Sequence, residues 1–363
     1  MKKIIFFIIS IFTFVLIFST ASQAGAVFLL IYPGSRAVSL GNSYTAISDD
    51  ALALYYNPAG MGLQEKRDIV LMHAPWLTGL GEGMYYEYLS AVIPTNYGVW
   101  GGSIIYLTTG EMSAEENNDP TAIWNTFDLA INLSYSYRIK KDLSVGVSGK
   151  FIYSFLAPDW IIQRYMGEER GGQGQSVALD LGLLKKFGEK TSLGISLSNL
   201  GPGLKYLADG STDDLPKTFR IGFAQTIIEN ELNKLLFTTD LTKVIAGIKL
   251  DSLSKEDFTF ELTKIIAKYN RDVDPVTGDT LPQLSMLEAE FLDTWLGAGF
   301  EYTYYNLLSL RLGYFLDYYG QRYGFTFGGG LLVKNSFRLD LGIDSDIYSF
   351  PTTNYRISIG FRW

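Results

Sequence analysis

The chain has no cysteine, which excludes disulfides, thiolate metal sites and lipid attachment at a processed cysteine. It has one histidine, His73, with no partner that spacing identifies, and this argues against Ser-His catalysis and a His-rich metal site. Long apolar runs are missing after the first two dozen residues: the longest is Ala24 to Tyr32, well short of the ~20 residues a spanning helix needs. Positive charge is scarce too, with 30 Lys and Arg against 38 Asp and Glu, so nucleic acid is not an expected partner.

What is present in quantity is Gly (37), Tyr (24) and Phe (23). The chain opens with Lys2 and Lys3, an apolar stretch from Ile4 to Phe18 and the small-residue site Ala21-Ser22-Gln23-Ala24. That order reads as a secretory leader, residues 1–24, cleaved after Ala24. An exported, aromatic- and Gly-rich chain without membrane helices has the composition of a transmembrane β-barrel.

Alternation supports this. Tyr355, Ile357, Ile359, Phe361 and Trp363 interleave with Arg356, Ser358, Gly360 and Arg362, and Phe127 to Tyr137 alternate in the same way. Such segments run about ten residues, the length of a tilted membrane strand, rather than the ~5–6 of a soluble sandwich. Strands are expected near 68–75, 84–93, 97–107, 124–138, 143–156, 175–187, 191–199, 217–227, 233–241, 293–304, 307–317, 322–333, 336–346 and 354–363. Short turns at 94–96, 139–142, 188–190, 305–306 and 334–335 alternate with longer segments at 76–83, 108–123, 157–174, 200–216, 242–292 and 347–353. This parity is the barrel rule of short periplasmic turns and long outer loops. The predicted fold is therefore an all-β antiparallel transmembrane barrel of about fourteen strands. Regularly spaced apolar side chains on a terminal strand edge, at Tyr355, Ile357, Ile359, Phe361 and Trp363, ending in two aromatics, suit an assembly signal.

Inward positions of these strands carry Asp128, Arg138, Lys150, Asp180, Arg220, Glu301, Arg311, Arg338, Asp340 and Arg356. Both signs occur, as cross-barrel pairing or a polar plug would require. In the loop 242–292, Ser254 to Asp257 fits a capping box and Phe258, Leu262, Ile265, Ile266 and Tyr269 share a helical face, for packing on the rim or docking a partner. Asn270, Asp272, Asp274 and Asp279 have calcium-loop character, but Pro275 and Thr277 break the pattern, and an acidic turn is the simpler reading. Thr78 to Gly83 is Gly-rich without a following helix, so it reads as a loop. No cofactor and no enzyme activity are expected.

Residues 48–61, SDDALALYYNPAGM, read locally as a capped turn: Ser48 as N-cap, Asp49 and Asp50 in the first turn, Ala51 to Tyr56 helical, and a stop at Asn57-Pro58. The stretch 25–62 around it resembles the N-terminus of the PorV/PorQ family of outer-membrane proteins, itself similar to FadL-type transporters. Gly34-x-Arg36-Ala37, Gly41, Tyr44-Thr45-Ala46, Asp49-Asp50 and Asn57-Pro58-Ala59-Gly60 carry the resemblance, and Asn42-Ser43 departs from it. The resemblance implies a hatch, residues 25–66, folded inside a barrel of residues 67–363. Gating is expected at Asp49, Asp50, Asn57, Pro58, Ala59 and Gly60, and hatch packing at Gly34, Arg36 and Gly41. It also implies residence in the outer membrane, with lipid and the barrel-assembly machinery as partners. Function then divides between an accessory role in type IX secretion, with secretion components and cargo signal domains bound at the outer loops, and FadL-like transport of a hydrophobic ligand.

Overall fold

A computed structural model describes residues 25–78, 83–116, 119–207, 212–245, 294–318, 320, 322–347 and 352–363. The leader, the loop helix and the candidate calcium loop lie outside the described residues, as do residues 79–82 of the Gly-rich loop. Fourteen strands follow one another in sequence: β1 (Asp68–Pro75), β2 (Tyr85–Thr95), β3 (Gly98–Glu116), β4 (Asp119–Lys140), β5 (Leu143–Phe155), β6 (Gln173–Phe187) and β7 (Thr191–Leu200). The second half holds β8 (Lys217–Glu229), β9 (Asn233–Ile245), β10 (Thr294–Tyr304), β11 (Leu308–Asp317), β12 (Arg322–Val333), β13 (Phe337–Ile347) and β14 (Thr352–Arg362). Each pairs antiparallel with its neighbours, and β1 pairs with β14 from Asp68–Arg362 to His73–Ile357, closing the barrel. Closure gives every strand a hydrogen-bonded neighbour on each side, as crossing a bilayer with sheet requires.

The wall is inverted relative to a soluble protein. Outward positions such as Leu71, Ile104, Leu133, Leu181, Leu310, Phe325, Leu341 and Ile359 are exposed, while Lys150, Asp180, Arg220, Asp240, Glu301, Arg311 and Arg356 are buried. An aromatic row, Tyr85–Tyr106–Phe127–Tyr153, crosses β2 to β5 at neighbour spacings of 5.8 to 6.0 Å. Trp100 and Tyr135, 4.9 Å apart, mark the opposite edge of the apolar band. From Phe127 to Tyr137 β4 advances by ten residue steps, roughly 33 Å of strand and about 25 Å of height at the usual tilt, matching a barrel's lipid band. His73 points outward at the upper girdle and pairs with Glu87, 2.7 Å away on β2.

One expected loop is strand instead. Residues 108–116 and 119–123 continue the β3–β4 hairpin to a Glu116–Asp119 pair, beyond the girdle. Alternation breaks at the register shift between Thr108 and Gly110, which hides the continuation from periodicity. The segment 157–174 contains a helix, α1 (Asp159–Met166), whose Ile161 and Ile162 pack with Ala157, Trp124 and Leu207 over the mouth.

Candidate functional site

Residues 25–66 lie inside the barrel as short turns with their own hydrogen bonds. The local chemistry differs from the expected cap. Ser48 adopts φ 34° and donates its hydroxyl to the Tyr44 carbonyl, so it ends one turn rather than starting the next. Asp50 takes the capping role: its Oδ1 accepts from Leu52 N at 3.0 Å, ahead of the helical turn α2 (Ala53–Tyr56). Asn57 stops α2 and caps the 3₁₀ turn Pro58–Leu63, accepting from Ala59 N at 3.1 Å, while its amide donates to the carbonyls of Thr45 and of Leu183 on β6. Pro58 at the first position of that turn has no N–H to orphan. Chain direction and wall contact are thus set by one side chain.

The hatch backbone lies directly on the wall, and a ring of lumen-facing glycines makes this possible. A Cβ at Gly146 or Gly182 would meet Pro58 and Ala59, at Gly194 or Gly222 Thr45 and Ala46, and at Gly297, Gly299 or Gly313 Leu40 and Gly41. Gly328 and Gly342 receive Ser39 and Ser35 in the same way. Atoms that would lie within 3 Å are mostly main chain, which cannot rotate aside. Sequence reasoning does not single out these glycines. The repeated Leu-Gly or Ile-Gly step in β6, β7, β8, β10, β11 and β13 is the signal for them.

Of the expected packing residues, Gly34 has φ 87° and sits under the Leu52 side chain, with its N–H on Met72 Sδ at 3.0 Å. Gly41 has φ 67°, and its N–H donates to Thr326 Oγ1 at 3.0 Å between the carbonyls of Ala298 and Tyr314. Asn42, the departure from the family, tolerates φ 64°, and its buried side-chain amide has no protein partner. Gly60 is packed against Ser48 O, and Ala59 O accepts from Ser144 and Ser136.

Arg36 is the hub of the turn-side floor. Its Nε and Nη2 form a fork on Glu301 of β10, both at 2.8 Å, while Nη1 reaches Asp49 at 2.6 Å and Tyr44 Oη at 2.8 Å. Glu301 also accepts from Arg311, which holds Asp340 at 2.7 Å. In parallel, Arg338 bridges Asp50 of the hatch at 2.9 Å and Asp68 of β1 at 2.6 Å, and Arg362 of β14 completes Asp68. Burial disfavours the Arg36 cation, but attraction from Asp49 and Glu301 prevails and holds its pKa well above the usual value. Burial likewise pushes the Asp49 carboxyl up, and Arg36, with Arg362 and Arg338, more than reverses this, holding it well below the usual carboxylate range. Deeper in, buried Asp240 accepts the N–H groups of Tyr44 and Thr45 at 2.9 and 2.8 Å. Charges therefore pair both between hatch and wall, as in Arg36–Glu301 and Arg338–Asp50, and within the wall, as in Arg311–Asp340, Arg356–Asp344 and Lys150–Asp180, the last at 3.0 Å.

Toward the loop end the contacts become aromatic. Tyr32 stacks on Tyr56 at 6.0 Å and meets Trp295 and Phe315 edge-on, while Arg220 lies 5.2 Å from the Tyr55 ring and 5.7 Å from Tyr32. The Tyr55, Tyr56 and Tyr86 hydroxyls donate to the carbonyls of Leu29, Pro33 and Ile31, and burial raises all three phenols of Tyr32, Tyr55 and Tyr56. A cavity of about 530 Å³ remains on the turn side, floored by Arg36, Asp49, Glu301 and Arg338 and edged by Lys186, Glu189, Lys190 and Asn335. Among the described residues no metal-ligating cluster occurs.

The expected terminal signal residues, Tyr355, Ile357, Ile359, Phe361 and Trp363, all face outward along β14. Ile357, Ile359 and Phe361 face Leu341, Leu339 and Phe337 on β13 and His73, Leu71 and Ile69 on β1.

Fold and lumen together define an outer-membrane β-barrel plugged by its own N-terminal segment. A sequence profile described as type IX secretion system protein PorV matches residues 19–250, and the chain belongs to this family. No curated protein matches the chain. Among solved structures, the chain is similar to the Pseudomonas putida toluene transporter TodX, with a TM-score of 0.51 and 15% identity over 91% of this chain and 97% of that one. A TodX variant described as a monoaromatic hydrocarbon channel aligns at 0.53, again with 15% identity, over 91% and 98%. A FadL homologue from Pseudomonas aeruginosa aligns at 0.46 with 11% identity, over 95% and 99%. At these identities the likeness is one of fold.

Proposed function

We propose that the protein is an accessory barrel of type IX secretion that binds exported cargo at its outer loops. The carrying observation is the fixed hatch: paired charges, capped turns and glycine contacts tie it to strands around the whole ring, so the lumen is built as a filled support rather than an open path. The family supports the same reading. What the barrel then presents is its loop end, where the β3–β4 hairpin stands beyond the girdle beside α1 and its exposed Trp160, Tyr165 and Met166. Deleting the gene should leave proteins with C-terminal signal domains in the periplasm, and the purified barrel should carry such cargo or a secretion component with it. Normal secretion in the deletion strain would overturn the proposal.

A route for hydrophobic molecules is the second reading, favoured by one observation in the wall. The β12–β13 ladder ends at Phe327–Ile343, although β12 continues to Arg322 and β13 to Ile347, so the strands part at the loop end. The hatch residues Asn57 to Ala59 are the gating candidates in this reading. Their deletion should change uptake of a long-chain fatty acid or an aromatic hydrocarbon, and unchanged uptake would remove it.

A further inference from the structure

The hatch meets the wall at the loop end before it descends. Gly25 N–H donates to the Asp214 carbonyl at 2.8 Å, in the β7–β8 connection, and the Ala26 backbone lies close enough to the Tyr206 hydroxyl to favour its ionised form slightly. That connection is a small structured seat: Leu204 and Asp213 exchange backbone hydrogen bonds at 2.8 and 2.9 Å, and Gly172 N–H holds the Tyr206 carbonyl at 2.9 Å. Gly25 fits closely, since a Cβ there would lie 2.8 Å from Asp213 Cβ. At its other end the segment passes Glu65 and enters β1 at Asp68, beside Arg362, at the turn side. The segment therefore runs from the loop end to the turn end.

We propose that leader removal after Ala24 places a new α-ammonium on Gly25 in this seat, so that the mature N-terminus lies at the outer mouth and fastens the β7–β8 connection to the hatch. An ammonium offers two N–H donors beyond the one already directed at Asp214. Asp213 and Asp214 supply carboxylates on the receiving segment, Asp128 at the top of β4 lies within electrostatic reach of Tyr206 together with Asp213, and burial raises the Tyr206 phenol, leaving it neutral. Lys205 is exposed in the same connection, and Lys217 is buried at the start of β8. Acidic groups outnumber basic ones here, which favours a protonated terminus.

The test has two arms. Protein extracted from outer membranes should begin at Gly25 by mass spectrometry, and a small N-terminus-selective aldehyde reagent at pH 7 should label its α-amine three- to tenfold more slowly than that of the D213N/D214N variant. In intact cells, an epitope inserted between Ala24 and Gly25 should be reached by antibody without lysis. A different first residue, equal labelling rates, or an epitope reached only after lysis would each overturn the proposal. The labelling arm uses no insertion, so it stands even where the tagged chain fails to fold.

Discussion

The two ends of the hatch are held by different physics. On the turn side Arg36, Asp49 and Asp50 are fixed by charge to Glu301 and Arg338, whereas on the loop side Tyr32, Tyr55 and Tyr56 are fixed by ring contacts and hydroxyl-to-carbonyl bonds. Paired charges fail badly when one partner is lost, because the other remains buried. Aromatic contacts lose strength in small steps. Between them the glycine ring provides neither attraction of great strength nor tolerance; it sets the distance at which both ends engage.

The severest break should come from that middle. Gly222→Val places a branched side chain against the buried Asp240 carboxylate, Ala46 N and Thr45 Cβ, displacing the group that holds the Tyr44 and Thr45 N–H, so its cost should exceed the ~1–3 kcal/mol usual for overpacking. The expected outcome is a barrel without heat-stable folded migration in gels, and near-normal migration would mean the hatch is less closely seated. Arg36→Ala removes the fork on Glu301 but leaves Arg311 there, so the loss should be about 3 kcal/mol, read as a lower urea midpoint of hatch protection from protease. Asn57→Ala removes a cap, a donation to Thr45 within the hatch and one to Leu183 on the wall, and should cost about 1–2 kcal/mol by the same assay. Tyr55→Phe, at the aromatic end, should cost about 1 kcal/mol; a loss as large as that of Arg36→Ala would erase the distinction between the two ends.

The smallest effect concerns acid. The Asp49 carboxyl is held below its ordinary pKa in the folded state, so its contribution is complete above about pH 4, the unfolded value, and is lost as pH falls toward the folded value. Asp49 is half-exposed, which screens the pair and keeps the contribution modest. The difference in unfolding midpoint between the natural protein and Asp49→Asn should hold from pH 7 to 5 and then shrink as pH falls further. Parallel declines would assign the acid sensitivity to other groups.

Most of the fourteen strands were legible because they carry the alternation of a wall with lipid on one side, with turn parity in support, whereas the segments near 84–93 and 97–107 alternate poorly. The upper parts of β3 and β4 were not legible, since a hairpin beyond the girdle has no lipid face to impose alternation. Arg36 and Asn57 could be singled out from a local pattern, but their partners Glu301 and Leu183 lie 265 and 126 residues away and become neighbours only on closure. Ser48 was misread as a cap because Asp50, two positions on, competes for the same role with equal local chemistry.

The β1–β14 seam has a consequence for the order of events. The plug is made first along the chain, its receiving surface is spread over strands from β3 to β13, and the final joint, Asp68 to His73 against Ile357 to Arg362, cannot be sealed until the last residues arrive. A sealed cylinder would have to admit 42 residues through its mouth against buried ion pairs; an open sheet can wrap them. Asp68 stands in the seam itself and is bound by Arg338 and Arg362, so the bridge that sits on the hatch is also a rivet across the last joint. Closure and corking are then a single step, and a strand sequence that wraps an empty lumen would leave that rivet without its inner partner, Asp50.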